Sequence, residues 1–201
     1  MFTGLVRRVG VIKSFRHEGK GLYIVIDVDS NFLNKLNPGA SIAVDGICLT
    51  VTELQNRSFS AFVMNETVKI TTLNDIASLK GRHVNLENSM QIDDGLDGHL
   101  VYGHIDFVTT VTSIYMEGYS RIVGFKIPSE KRKYFVKKGS VAINGVSLTI
   151  KSIDISSFSV SLIPETIERT NLTLLRVGNK VNIETDIIGK YIENFIRGKY
   201  V

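Results

Sequence analysis

The chain has a single cysteine, Cys48, among its 201 residues. No intrachain disulfide can form, and one thiol fits a reducing compartment. Long apolar runs are missing too. The opening stretch MFTGLVRRVGVI lacks the core of a secretory leader, and nothing approaches the ~20 apolar residues of a spanning helix. The expectation is a soluble, cytoplasmic protein with no membrane association. Charge is nearly balanced: 24 Lys and Arg against 20 Asp and Glu leave +4, with no acidic or basic tail. The densest basic stretch, Lys131, Arg132, Lys133, Lys137 and Lys138, reads as a solvated face, because aromatic stacking platforms and a recognition helix are absent. No nucleic-acid partner is expected. Sequence signatures for nucleotides and metals are missing as well: no G-x-G-x-x-G, Walker A, Cys-x-x-Cys or His-Glu-x-x-His. His99 and His104 stand five apart, a spacing that sends strand side chains to opposite faces, so no metal is expected. Nothing local ties Cys48, His99 and Asp106 into a nucleophilic triad.

What the chain does contain is a repeat. Residues 39–51, GASIAVDGICLTV, return ninety-nine positions later as GSVAINGVSLTI over 139–150. In each copy Asp-Gly (Asp45, Gly46) or Asn-Gly (Asn144, Gly145) stands between alternating apolar residues, the signal for a hairpin with a type I′ turn. Strand alternation then puts Ile47, Leu49 and Val51 on one face, with Val146, Leu148 and Ile150 as their equivalents. Those faces belong in cores. Cys48 and Thr50, like Ser147 and Thr149, share the other face, where small polar side chains suit a ligand lying across them.

The repeat runs on in both directions. Gly4 answers Gly103, Phe59 to Thr67 answers Phe158 to Thr166, and VNLE at 84–87 answers VNIE at 181–184. Two copies of this length are two domains of one fold rather than a solenoid. The boundary falls in the acidic, turn-rich stretch 93–98, giving domains over 1–97 and 98–186. Strands are expected over 9–15, 22–28, 41–44, 47–54, 59–64 and 83–87, with short helices over 31–36, 68–79 and 130–135. Short strands with Gly-rich turns, and 43% hydrophobic residues to fill the cores, argue for an all-β protein of two antiparallel barrels or sandwiches. From Ile187 the pattern changes. Ile187, Ile188, Tyr191, Ile192, Phe195 and Ile196 recur at helical spacing, so residues 187–201 form a C-terminal helix whose apolar stripe needs a partner surface.

The copies also differ. Cys48 faces Ser147, Leu5 faces His104, Met64 faces Ile163 and Gly39 faces Lys138 across the repeat. Such divergence suits a protein that holds two copies of one molecule and treats them unequally. Cys48 alone would read as a small buried hydrophobe, and its serine counterpart on the polar face argues for a site. His104 reads equally well as a group satisfying the backbone. Thr67 and Thr166 read as helix N-caps that aim free N–H groups outward.

The MFTG start, GICLTV, the NET/PET pair, GHLVYGHID over 98–106, KGSVAINGVSLT, LIPET and VNIETD together resemble the riboflavin synthase family, over nearly the whole chain. The resemblance implies two tandem six-stranded antiparallel Greek-key barrels and a homotrimer gathered around the C-terminal helices. It implies an active site between the first barrel of one subunit and the second of its neighbour. The activity implied is dismutation of two molecules of 6,7-dimethyl-8-ribityllumazine by four-carbon transfer, with no cofactor and no metal. Lumazine synthase is a further candidate partner. Carried onto this chain, one substrate would rest on Gly4, Leu5, Val6, Cys48, Leu49, Thr50, Phe62, Val63, Met64, Asn65, Glu66 and Thr67. The other would rest on Gly103, His104, Ile105, Lys138, Ser147, Leu148, Thr149, Leu162, Ile163, Pro164, Glu165, Thr166 and Ile167. Ser41 and Asp186 are also site candidates, and Cys48, His104, Ser147 and Lys138 are the candidate catalytic groups, with His104 for proton transfer. Phe62, Asn65 and Tyr102 depart from the family pattern. Two other readings remain: a non-catalytic lumazine- or flavin-binding antenna protein of the same fold, and a flavin reductase, which would want a nucleotide-binding α/β half that this chain lacks.

Overall fold

The computed structural model of the chain describes residues 1–198; the last three positions of the expected helix, 199–201, lie outside the described residues. Six strands, β1 (Arg8–Glu18), β2 (Gly21–Asp27), β3 (Ser41–Val44), β4 (Ile47–Gln55), β5 (Ser58–Met64) and β6 (His83–Asn88), close a barrel in the order β1-β2-β5-β4-β3-β6. A second six repeat that order: β7 (Phe107–Glu117), β8 (Ser120–Lys126), β9 (Ser140–Ile143), β10 (Val146–Ile153), β11 (Ser157–Leu162) and β12 (Lys180–Thr185). Every pairing is antiparallel, and the jumps from β2 to β5 and from β3 to β6 make each barrel a Greek key. Closure leaves no free sheet edge.

The predicted hairpins form as the dipeptides require. Asp45 and Gly46 have φ of 45° and 77°, Asn144 and Gly145 have 44° and 77°, and both residues at positive φ make a type I′ turn. Ile47, Leu49 and Val51 turn into the first core, Val146, Leu148 and Ile150 into the second. A register shift bends β1 between Ile12 and Ser14 and β7 between Val111 and Ser113. Another bends β4 between Val51 and Glu53 and β10 between Ile150 and Ser152. These bulges curl strands that would otherwise run too straight to close.

The expected helices are shorter and broken. The first is a single capped turn, α1 (Ser30–Leu33), whose Asp29 Oδ1 accepts from Phe32 N at 3.1 Å. In place of one helix over 68–79 there is α2 (Asn65–Ile70), then 3-10 turns over Thr72–Asn74 and Ile76–Ser78. Thr71, at φ −120° and ψ 173°, is extended and interrupts the run. Residues 129–134 likewise form 3-10 turns. Thr67 and Thr166 lie inside α2 and α3 (Pro164–Arg169), not at their caps; Met64 and Ile163 hold the capping positions, and Pro164 occupies the first turn, where its missing N–H costs nothing.

Between the barrels the two I′ turns meet. A Cβ on Gly46 would come 2.7 Å from Gly145 N, and a Cβ on Gly145 would come 2.7 Å from Gly46 N. Around this contact runs a buried network. Asn85 N donates to Asp45 Oδ1 and Asn85 Nδ2 to Asn144 O; Asn182 N donates to Asn144 Oδ1 and Asn182 Nδ2 to Asp45 O. The asparagine of each VN(L/I)E motif thus ties its own barrel to the other.

Beyond β12 runs α4 (Ile187–Ile196), capped by Asp186 Oδ1 accepting from Ile188 N at 3.0 Å. Its polar side is fastened to its own barrel: Lys190 Nζ meets Asp106 Oδ1 at 2.7 Å, and Glu193 pairs with Lys133 and Tyr134. Ile188, Tyr191, Ile192, Phe195 and Ile196 remain exposed, and no residue of α4 is buried. Among the described residues no helix is long and apolar enough to cross a membrane.

Candidate active site

The Cys48 and Ser147 faces are each crossed by a strap belonging to the other repeat. The segment around Gly103 passes over β4: Cys48 N donates to Gly103 O at 2.9 Å, and a Cβ on Gly103 would lie 2.5 Å from Cys48 Cβ. The segment around Gly4 passes over β10 in the same way. Ser147 N donates to Gly4 O at 2.8 Å, and a Cβ on Gly4 would lie 2.5 Å from Ser147 Cβ. Both glycines hold positive φ, so close approach and backbone conformation each demand glycine. The two straps also pair with each other, Phe2 N to Val101 O at 2.7 Å and Val101 N to Phe2 O at 3.0 Å.

This crossing corrects the expected grouping. Gly4, Leu5 and Val6 do not accompany Cys48; they lie beside Ser147. Gly103, His104 and Ile105 lie beside Cys48 instead. One face therefore joins Cys48 and Thr50 to the Gly103–His104 strap, with Phe62 and Met64 on the neighbouring strand. The other joins Ser147 and Thr149 to the Gly4–Val6 strap, with Glu165 and Thr166 beyond. A cavity of about 1000 Å³ opens between Ser147 and the first domain, with Gly4, Leu5, Val6, Ser147, Glu165 and Thr166 on one side and α1, Ser41 and the segment 87–91 of the first domain making the larger share of its wall.

Buried glutamates hold the straps. Glu87 accepts from Thr3 N and Thr3 Oγ1 at 2.7 Å and from Gly4 N at 3.0 Å. Glu184 accepts from Tyr102 N at 2.6 Å, Gly103 N at 2.8 Å and His104 N at 3.0 Å. Burial pushes both carboxyls above their ordinary range, and these donors pull them back. Both glutamates stand in the repeated VN(L/I)E motif, whose repetition was the available signal for them; their role needed the strap to be seen.

The other candidates divide by direction. Thr50, Phe62, Met64, Asn65, Glu66, Thr149, Ile163, Pro164 and Glu165 are exposed, with Thr67, Thr166 and Ile167 half-buried. Leu49, Val63, Leu148 and Leu162 turn into the cores, so only their backbone can meet a ligand. Lys138 is exposed and holds φ 67°, left-handed like its counterpart Gly39 at 87°, a conformation that disfavours a lysine. Its N–H donates to Ile150 O, the residue after Thr149 on β10.

One residue joins the site that the sequence pattern set aside. His99 Nδ1 lies 2.7 Å from Ser147 Oγ, and His99 is only 8% exposed. Burial pushes its pKa down, with the Asp186 carboxylate pulling the other way. Its Nε2 is buried with no partner among the described residues, so the ring meets the site through Nδ1 and Ser147 Oγ. The repeat could not reveal it, because the equivalent position in the first copy would precede Met1. Cys48 has no such histidine, but the crossing strap brings His104 to its face.

Two segments, residues 3–89 and 102–186, each match the lumazine binding domain family. Fold and site thus define a protein of two tandem lumazine binding domains. Along nearly its whole length the chain is 40% identical to riboflavin synthase of Actinobacillus pleuropneumoniae, over 99% of this chain and 91% of that one. It is 41% identical to the Bacillus subtilis (strain 168) enzyme, over 98% and 90%, and 38% identical to that of Saccharomyces cerevisiae, over 98% and 86%. The chain belongs to the riboflavin synthase family. Its fold is also similar to solved structures of LumP, at 27% identity over 92% of this chain and 99% of that one. The TM-score is 0.83 for LumP with 6,7-dimethyl-8-(1′-D-ribityl)lumazine and 0.85 for LumP with riboflavin.

Proposed function

We propose that the chain is a riboflavin synthase, a transferase that converts two molecules of 6,7-dimethyl-8-ribityllumazine into riboflavin and 5-amino-6-(D-ribitylamino)uracil. One observation carries this reading: two polar strand faces, built alike and each crossed by a glycine strap from the other repeat, bear different reactive pairs. One face has Cys48 with His104 nearby; the other has Ser147 bonded to His99. Two identical substrates treated unequally are what a dismutation requires.

The products contain between them every atom of the two substrates, so no oxidant or reductant enters. A C7 methyl of one lumazine loses a proton to a base, and the ring delocalises the resulting carbanion. That carbon attacks the partner ring, and four carbons move across. Holding two rings together supplies a large effective molarity. The Thr50 and Thr149 hydroxyls and strap N–H groups can fix the pyrimidine edges and bear developing charge. His99, kept neutral by burial, is placed to accept a proton through Ser147, while Cys48 assists addition at the acceptor ring and His104 serves as its proton carrier. Lys138 offers an exposed cation at the turn leading into β9.

Domain limits of 1–97 and 98–186 with a helix from 187, a cytoplasmic setting and a homotrimer joined through α4 belong to the same proposal. Met64 and Ile163, both exposed beside the polar faces, support a face-to-face arrangement of first and second barrels from different subunits. The LumP likeness favours a second reading, a binding protein without turnover. Purified protein mixed with 6,7-dimethyl-8-ribityllumazine, with no added cofactor, separates the two. Riboflavin absorbance growing with time supports the enzyme; a bound, unconverted lumazine supports the binding protein and rules the enzyme out.

A further inference from the structure

The strap that carries His104 is fastened at more points than the strap that carries Leu5. Ile183, Glu184 and Thr185, at the end of β12, all hold it. Ile183 O accepts from Asp106 N at 2.8 Å, and the Glu184 carboxylate accepts from the N–H groups of 102–104. Thr185 donates through both N and Oγ1 to Asp106 Oδ2, each at 2.8 Å. The other carboxylate oxygen, Asp106 Oδ1, meets Lys190 Nζ of α4 at 2.7 Å, and the two side chains are only 17% and 26% exposed. Gly103 O accepts from Cys48 N and Ile105 enters the first barrel's core, which leaves His104 as an exposed side chain on a fixed segment.

The first repeat lacks the side-chain half of this clamp. Arg7 stands where Asp106 does and keeps only the matching backbone bond, its N–H donating to Leu86 O at 2.9 Å. Asn88 stands where Thr185 does, and its Nδ2 is buried with no partner among the described residues. Among the described residues no helix lies between β6 and β7, so Lys190 has no counterpart. Clamp and histidine thus occur together, while Leu5 on the other strap has no polar atom to aim.

We propose that Asp106 is a positioning residue for His104, and that its Lys190 arm makes the position depend on α4 being docked on its own barrel. The proposal rests on the riboflavin synthase reading of the site. With one oxygen on a strand end and the other on a helix, the carboxylate fixes the backbone two residues along from the imidazole through charge-assisted bonds. Proton transfer needs donor and acceptor at hydrogen-bond reach, and a small misplacement is felt in the rate. Releasing either arm leaves the other substrate contacts in place, so turnover suffers more than binding. The alternative is a plain tie between α4 and the barrel, which would cost stability without acting through His104.

Turnover of 6,7-dimethyl-8-ribityllumazine by the full-length protein tests the clamp, with melting temperature and sedimentation followed in parallel. Asp106→Asn keeps an acceptor for Thr185 and removes the charge facing Lys190; it should lower kcat by about tenfold, equivalent to about 1.4 kcal/mol in the barrier. KM should stay within about twofold of wild type. Lys190→Met should also lower kcat, and Lys190→Arg should retain most of it. Lys190 lies off the apolar stripe of α4, so neither change should alter sedimentation. In a His104→Gln background, Asp106→Asn or Lys190→Met should cost less than about twofold more, because the group they place is gone. An equal loss in that background, an unchanged kcat in Asp106→Asn, or a fully active His104→Gln protein overturns the positioning role while the enzyme reading stands. If Asp106→Asn fails to fold, Lys190→Met carries the same comparison. A wild-type protein that binds the lumazine and forms no riboflavin overturns the enzyme reading, and the role of Asp106 with it.

Discussion

At Asp45 the first repeat uses a carboxyl where the second uses Asn144, and the difference has a pH signature. Asp45 is 4% exposed, with Oδ1 accepting from Asn85 N and Asn171 Nδ2, both at 2.8 Å. Burial pushes its pKa from 3.8 to about 7, against the pull of Asn85 N–H, the Arg82 charge and Asn171. Between those values the folded chain keeps a proton that the unfolded chain has released, so stability falls as pH rises through this window, and the fall levels off above the folded pKa. Asn171 Oδ1 is itself buried without a partner among the described residues. Asp45→Asn reproduces Asn144 and removes the titration. Urea denaturation should show wild type losing on the order of 3 kcal/mol relative to the variant between about pH 4 and pH 7. Parallel stability curves would place the ionised carboxylate in the native interface at no cost.

At the scale of elements, the straps matter more than the barrels they cross. Each is an irregular segment pinned at its glycine, whose N–H donates to a buried glutamate of its own domain and whose carbonyl accepts from a strand of the opposite domain. Glu184→Ala would strip the acceptor from three N–H groups, those of Tyr102, Gly103 and His104. Buried donors left unpaired cost about 1–3 kcal/mol each, so a loss of roughly 2–4 kcal/mol is expected after partial rehydration. Glu184→Gln, which keeps an acceptor, should lose less than half of that. Riboflavin formation should fall further than stability in the alanine variant, because His104 rides on the released strap. Denaturation curves that match wild type would mean the strap is held by its contact with Cys48 alone.

For the molecule as a whole, α4 is the element the single chain leaves uncovered, with none of its residues buried. Its polar side is bonded to the second barrel, while its apolar stripe lies exposed in the single chain. Shared burial at roughly 1.5–3 kcal/mol per large side chain offsets the cost of association if several chains join there. A chain ending at Asp186 removes no buried residue of the helix, and both barrels should fold. It should sediment as a monomer, bind riboflavin weakly and turn over slowly, with activity rising more steeply than linearly in protein concentration as subunit encounters rebuild the site. A truncated monomer fully active at nanomolar concentration would place the whole site within one chain.

The sequence alone determined the repeat, and with it the two domains, the I′ hairpins and the inward and outward faces of β4 and β10. These are local: turn dipeptides demand positive φ, and alternation follows from the pleat. The terminal helix was legible for the same reason, as a 3.6-residue period. The helices after β5 and β8 were not, because extended Thr71 and the 3-10 geometry of 129–134 are set by where each connection must cross its barrel end. Above all, sequence order grouped Gly4 with Cys48 and Gly103 with Ser147, since each pair lies in one repeat. Only the tertiary structure exchanged them. The straps leave their own barrels because Glu87 and Glu184 can satisfy buried N–H groups at the seam between domains, and a glycine there lets the opposite strand approach. The same exchange brought His99 to Ser147, a pairing across 48 residues that no period or motif encodes.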